Sequence, residues 1–162
     1  MDYCTQPLLI QLDWLFIQSK VRELSRKFEI EVQSLVMMDT HVHLLGASFG
    51  PSENFFAEEL QRSIAGSDKS DSLSEPILNY SQYLNTYKYI YRNPVEAGLT
   101  ERAEDYQYSS LRSLLGKSEL NCEIHDQLGL IQNPIHILKW LNQNIDYKVS
   151  QIKNQLSAHS PN

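Results

Sequence analysis

Apolar residues recur at Trp14, Ile17, Val21, Leu24 and Phe28, the spacing of one helix face, and predict a helix over 14–28. The period then changes. Phe28-Glu29-Ile30-Glu31-Val32-Gln33 alternates apolar and polar positions, as a half-buried strand does, and Leu35 to Met38 carry it inward. Asp39-Thr40 breaks the run, and His41 to Leu45 reads as a second strand, antiparallel to the first in a hairpin. Gly46 to Ser52 reads as a loop. Pro51 to Asn54 opens a helix that carries Phe55, Phe56, Leu60 and Ile64. The polar stretch 65–79 predicts a loop or short irregular strand around Ile77-Leu78. From Tyr80 a helix returns, with Tyr80, Tyr83, Leu84, Tyr87 and Tyr91 as its core stripe. It ends at Arg92 ahead of Pro94, because the residue before a proline avoids the helical region. Gly98 closes a turn, residues 106–116 give a short helix ending at Gly116, and Ile135 to Leu141 give another with Trp140 on its packing face.

A hairpin flanked by helices predicts an α+β fold, with helices on one face of a small antiparallel sheet. The 162 residues suffice for one buried core. They divide into a domain over 1–116, a C-terminal helical extension over 117–154, and a disordered tail over 155–162. No apolar run approaches the roughly 20 residues that cross a bilayer, and the acidic start lacks the basic flank of a signal peptide. Cys4 and Cys122 lie far apart and predict free thiols, hence a reducing, cytoplasmic setting. Charge alters the picture more. Fourteen Lys and Arg against twenty Asp and Glu leave a net charge of −6, which argues against an extensive grip on duplex DNA.

Two groups of residues carry candidate chemistry. His41 and His43, two apart on one strand, project from the same face and can share a divalent cation. Two imidazoles alone make an open site that needs another protein ligand. On the predicted helix Tyr89 falls opposite the core stripe, and Asn93 lies one turn later on the same face. If that face lies over the histidines, the Asn93 carbonyl oxygen becomes a third ligand with Tyr89 beside the metal. A tyrosine hydroxyl, with its ordinary pKa near 10, needs such help to attack a phosphate at neutral pH. The alternative is two half-buried histidines on a polar sheet face, with a surface tyrosine and amide near a proline stop.

Asp39-Thr40-His41-Val42-His43-Leu44-Leu45 resembles the Pro-Asn-His-Val-His-Leu-Leu segment of the HUH single-tyrosine transposases, in particular the REP-associated tyrosine transposases. Residues 88–116 are similar to the most characteristic stretch of that group. There a Tyr-x-x-x-Asn precedes Pro-Val-x-Ala-Gly and an aromatic-Ser-Ser comes after it; this chain has Tyr89, Asn93, Pro94-Val95-Glu96-Ala97-Gly98 and Tyr108-Ser109-Ser110. The matching segments span roughly residues 10 to 116. The resemblance implies a ferredoxin-like or RRM-like sheet, Tyr89 as nucleophile, and His41, His43 and Asn93 as ligands of Mg²⁺ or Mn²⁺. It further implies single-stranded or hairpin DNA as substrate, nicking and strand transfer through a phosphotyrosine, and often a dimer. Arg92, Arg102 and Arg112 are the candidate phosphate contacts, although Glu96, Glu101, Glu104 and Asp105 beside them also fit a mixed solvated surface.

The chain departs from that pattern in three places. Family members open with a strand ahead of the first helix, whereas Met1 falls just before it here, so the fold reads as truncated and lacking its first strand. Residues 63–79 stand where a basic stretch is expected, and the charge is acidic. These departures support a rival reading: a decayed or domesticated, non-catalytic module that binds nucleic acid or another partner. A metallohydrolase using the His pair without a covalent step is a third, and the missing Asp or Glu cluster counts against it.

Overall fold

The computed structural model describes residues 2–4, 14–48, 50, 52–65, 72–73 and 75–143; the predicted tail at 155–162 lies outside them. The elements are, in chain order, β1 (Asp2–Cys4), α1 (Trp14–Phe28), β2 (Ile30–Met37), β3 (His41–Ser48), α2 (Glu53–Ala65), β4 (Ser72–Leu73), α3 (Tyr80–Glu96), α4 (Ser110–Leu114) and α5 (Pro134–Leu141). A single 3-10 turn, Ala103–Asp105, precedes α4. The strands form one antiparallel sheet in the order β2-β3-β1-β4. With α1 and α2 as crossovers this is the β-α-β-β-α-β, ferredoxin-like arrangement. The first strand, expected to be missing, is present: Asp2–Cys4 pairs with β3 and β4 in the middle of the sheet.

Alternation in β2 and β3 decides what each face meets. Ile30, Val32, Leu35, Met37, Val42 and Leu44 pack with Ile17, Val21 and Leu24 of α1 and Phe56, Leu60 and Ile64 of α2. Val36 and Leu45 point the other way and meet Tyr87, Ile90 and Tyr91 of α3. The expected α+β class holds, with α1 and α2 on one face; α3 covers the other. The extension joins both layers, Cys122 in the first and Leu130 and Leu141 in the second.

Four boundaries differ from the sequence reading, one of them the helix expected over 106–116, which is only Ser110–Leu114. β3 runs through Gly46 to Ser48, because at Gly46 a side chain would meet Ile30 Cγ2 at 2.8 Å and only glycine lets the strands close. The fourth strand is Ser72–Leu73, not the segment at Ile77-Leu78, where Pro76 lacks a donor and Leu78 is exposed. Helix α3 passes through Pro94 to Glu96. Its last turn is held by Ala97 N–H to Asn93 O (2.9 Å), Gly98 N–H to Val95 O (3.0 Å) and Leu99 N–H to Pro94 O (2.8 Å). Gly98, at φ +72°, supplies the left-handed turn that ends it.

Candidate functional site

The hairpin turn at Asp39-Thr40 is closed by Met38 N–H donating to His41 O at 2.7 Å, which sets the register of β3 against β2. His43 then pairs with Val36 of β2 on one side and Asp2 of β1 on the other, so it stands on a strand with neighbours on both edges. Val42 and Leu44 enter the α1–α2 layer, and the two imidazoles project toward α3. Their ring centroids lie 4.4 Å apart at 90°. His43 is buried and His41 partly exposed.

Helix α3 is positioned over them from both ends. Asn79 caps it by accepting from Gln82 N–H at 2.9 Å, while Gln82 Oε1 accepts from Leu78 N–H, a reciprocal cap. Midway, Tyr91 Oη shares a 2.9 Å hydrogen bond with Ser110 Oγ, which in turn accepts from Leu35 N–H of β2. Tyr87 and Tyr91 are buried by this docking, and loss of solvent pushes both phenols above their ordinary range. The predicted stripe stops there: Tyr80 is 68% exposed and Tyr83 half-buried, because the helix start outruns the layer beneath it.

With α3 fixed, its opposite face meets the histidines. The Asn93 amide Nδ2 donates to His43 Nε2 at 2.7 Å. The Tyr89 ring lies 5.7 Å from the His43 ring at 82°, and Tyr89 is 41% exposed. Thr40 Oγ1 lies 2.8 Å from His41 Nδ1, a contact that orients the ring as an outer hydrogen bond orients a metal ligand. The four residues singled out from sequence are therefore neighbours in space. His43 Nε2 turns its lone pair to the amide, so a cation held by both requires the amide to swing and present Oδ1. Among the described residues no three His, Cys, Asp or Glu side chains cluster, so Asn93 is what makes a third ligand available. Two imidazoles and an amide oxygen are neutral donors, a set that can hold a divalent cation but lacks the carboxylate that Mg²⁺ sites usually include.

The three arginines separate. Arg92 is buried and not available to phosphate: its guanidinium donates to Leu141 O (3.2 Å), Gln143 O (3.1 Å) and Glu96 Oε1 (3.2 Å). It fastens α3 to the end of α5. Arg102 is exposed and paired with Glu104 at 3.0 Å, and Arg112 reaches the Asp105 carbonyl. Tyr106 is buried, its hydroxyl donating to Met37 O at 2.9 Å. Sequence reasoning missed a cleft of about 980 Å³ that starts at Tyr89 and runs beside α3 past Thr86 and Tyr83 to Tyr80. No sequence signal marked it: the helical period assigns Tyr80 to the core stripe, and its exposure appears only in the structure.

No protein-family model and no curated protein matches the chain. Among solved structures it is similar to a REP-associated tyrosine transposase bound to a REP hairpin, with a TM-score of 0.53 and 16% sequence identity, over 78% of this chain and 84% of that one. At that identity the likeness establishes the shared fold. No helix among the described residues is long and apolar enough to cross a membrane.

Proposed function

We propose that this chain is a transposase-like DNA-binding protein that nicks single-stranded or hairpin DNA and transfers strands through a phosphotyrosine at Tyr89. One observation carries the reading: an exposed phenol, a buried imidazole and an amide converge at 5.7 Å and 2.7 Å on the open side of a helix whose other side is core. An ordinary surface tyrosine needs no such company. The likeness in fold to the hairpin-bound transposase supports the same class of partner.

In the reaction, Tyr89 Oη attacks the scissile phosphorus. An Oη–P bond forms as the bond to the 3′ oxygen breaks, and the phenolic proton is balanced by the one the departing 3′-hydroxyl gains. Attack by that hydroxyl, or another, reverses the step without an outside energy source. His41, His43 and Asn93 would hold the divalent ion, Mn²⁺ or Mg²⁺, which when bound supplies Lewis-acid stabilisation of charge on the phosphate. The sheet keeps His43 immobile, and α3 holds Tyr89 and Asn93 one turn apart, so the chain's own contribution is orientation.

The test is incubation with a hairpin-bearing single strand and Mn²⁺, then denaturing electrophoresis. A covalent adduct is expected with the parent protein and none with Tyr89→Phe; an adduct that survives in Tyr89→Phe removes the assignment. The acidic balance of −6 favours the second reading, a non-catalytic nucleic-acid-binding or interaction module. That reading prevails if neither Mn²⁺ nor single strands raise the unfolding temperature.

A further inference from the structure

The cleft beside Tyr89 has an unusual lining for a surface that meets nucleic acid. Its described walls contain three carboxylates, Glu31, Glu53 and Glu75, and no lysine or arginine. Glu53 accepts from Ser48 Oγ at 2.7 Å, which holds its carboxyl below the usual range. Phosphates are not what this cleft attracts. Its other feature is aromatic: Tyr83 lines the end away from Tyr89, and the Tyr80 ring stacks on it with centroids 6.0 Å apart at 18°. Tyr80 is 68% exposed, so a flat apolar surface extends that stack toward solvent. From Tyr89 to Tyr80 is nine residues of helix, about 14 Å, enough for roughly two to four nucleotides.

We infer that this cleft takes the unpaired bases of the single strand whose backbone is presented to Tyr89, with one base continuing the Tyr80–Tyr83 stack and the phosphates facing outward, away from the glutamates. The inference rests on the nucleic-acid reading of the Tyr89 site and adds what that reading leaves open: the strand is gripped by its bases, not its charge. Stacking suits this role because every base has a π-face, so the cleft accepts varied sequence. Gln33, Gln82 and Gln127 also line it and offer both donors and acceptors to base edges.

The experiment measures binding of a short fluorescein-labelled single strand by anisotropy, in EDTA, so that neither cation nor nicking contributes. Tyr80→Ala is expected to weaken binding roughly 5- to 150-fold, the loss of one stacked base, while Tyr80→Phe keeps the parent affinity. An abasic strand of equal length should bind the parent at least as weakly as the full strand binds Tyr80→Ala, since it loses every base contact and not one. Across a salt series the slope of log affinity should stay near that of a single phosphate contact. Equal affinity of parent and Tyr80→Ala, undiminished binding of the abasic strand, or a steep salt slope each overturns the inference. Its failure is separable from that of the nicking reading: adduct formation at Tyr89 with Tyr80→Ala binding unimpaired sinks only the cleft, and the converse result sinks only the nicking.

Discussion

The two histidines are equivalent as candidate ligands but unequal as parts of the fold. His43 is 1% exposed, its Nε2 accepting from the Asn93 amide, whereas His41 is partly exposed beside the turn. His43→Ala removes a buried ring and strips the amide of its acceptor, and should cost about 2–3 kcal/mol in urea unfolding. His41→Ala should cost under about 1 kcal/mol. Both should abolish any Mn²⁺-induced rise in unfolding temperature, as should Asn93→Ala. Equal stability losses for the two histidine variants would show that the buried ring is not the structural one. This asymmetry was not legible in sequence, because the i, i+2 spacing states which face the rings share and not how deeply each sits. What the spacing did predict, that Tyr89 and Asn93 share a face opposite the apolar stripe, depends only on helical period and survives in the structure.

Elements were legible where packing and local pattern agree. The alternation in β2 and the 3.6 period in α1 describe what those segments bury, and the hairpin turn at Asp39-Thr40 falls where predicted. Sequence reasoning failed where tertiary contacts overrule a local rule. β1 is three residues long, too short for any period to reveal, and exists because β3 and β4 flank it. Pro94 ought to end α3, yet buried Tyr91 and Arg92 hold the helix in place through it. Arg92 is the clearest case: a cation next to a candidate catalytic face invites a phosphate, but its guanidinium secures the carbonyls of Leu141 and Gln143. Arg92→Ala should cost about 2–3 kcal/mol and loosen α5, read as faster amide hydrogen exchange over 134–141. Arg92→Lys should recover only part of it, since an ammonium lacks the fork that reaches two carbonyls and Glu96 together. An Arg92→Lys variant with parental exchange would refute the pin.

At the scale of the molecule, the sheet carries a separate apolar layer on each face, and each layer contains an acid that folding keeps neutral. In the α1–α2 layer burial pushes the Cys122 thiol up to about 11 from an ordinary 9. In the α3 layer burial pushes the Tyr106 phenol up to about 12 from an ordinary 10. Both shifts are upward, so the folded chain holds these protons more tightly than the unfolded chain. Their contribution to stability is complete below about pH 9, where neither state ionises. It then declines as the unfolded thiol and next the unfolded phenol lose protons that the folded groups retain. The decline due to Cys122 runs from about pH 9 to about pH 11 and is on the order of 2 kcal/mol. Urea midpoints measured upward from neutral pH should stay flat and then fall across that window. In Cys122→Ala the fall should start later, at the onset set by the phenols, while Tyr106→Phe should spare the start of the fall and lessen its later part without abolishing it, because burial shifts Tyr83, Tyr87 and Tyr91 in the same direction. A parent protein whose midpoint is unchanged through that window would mean that water reaches both layers, and that neither face of the sheet is sealed.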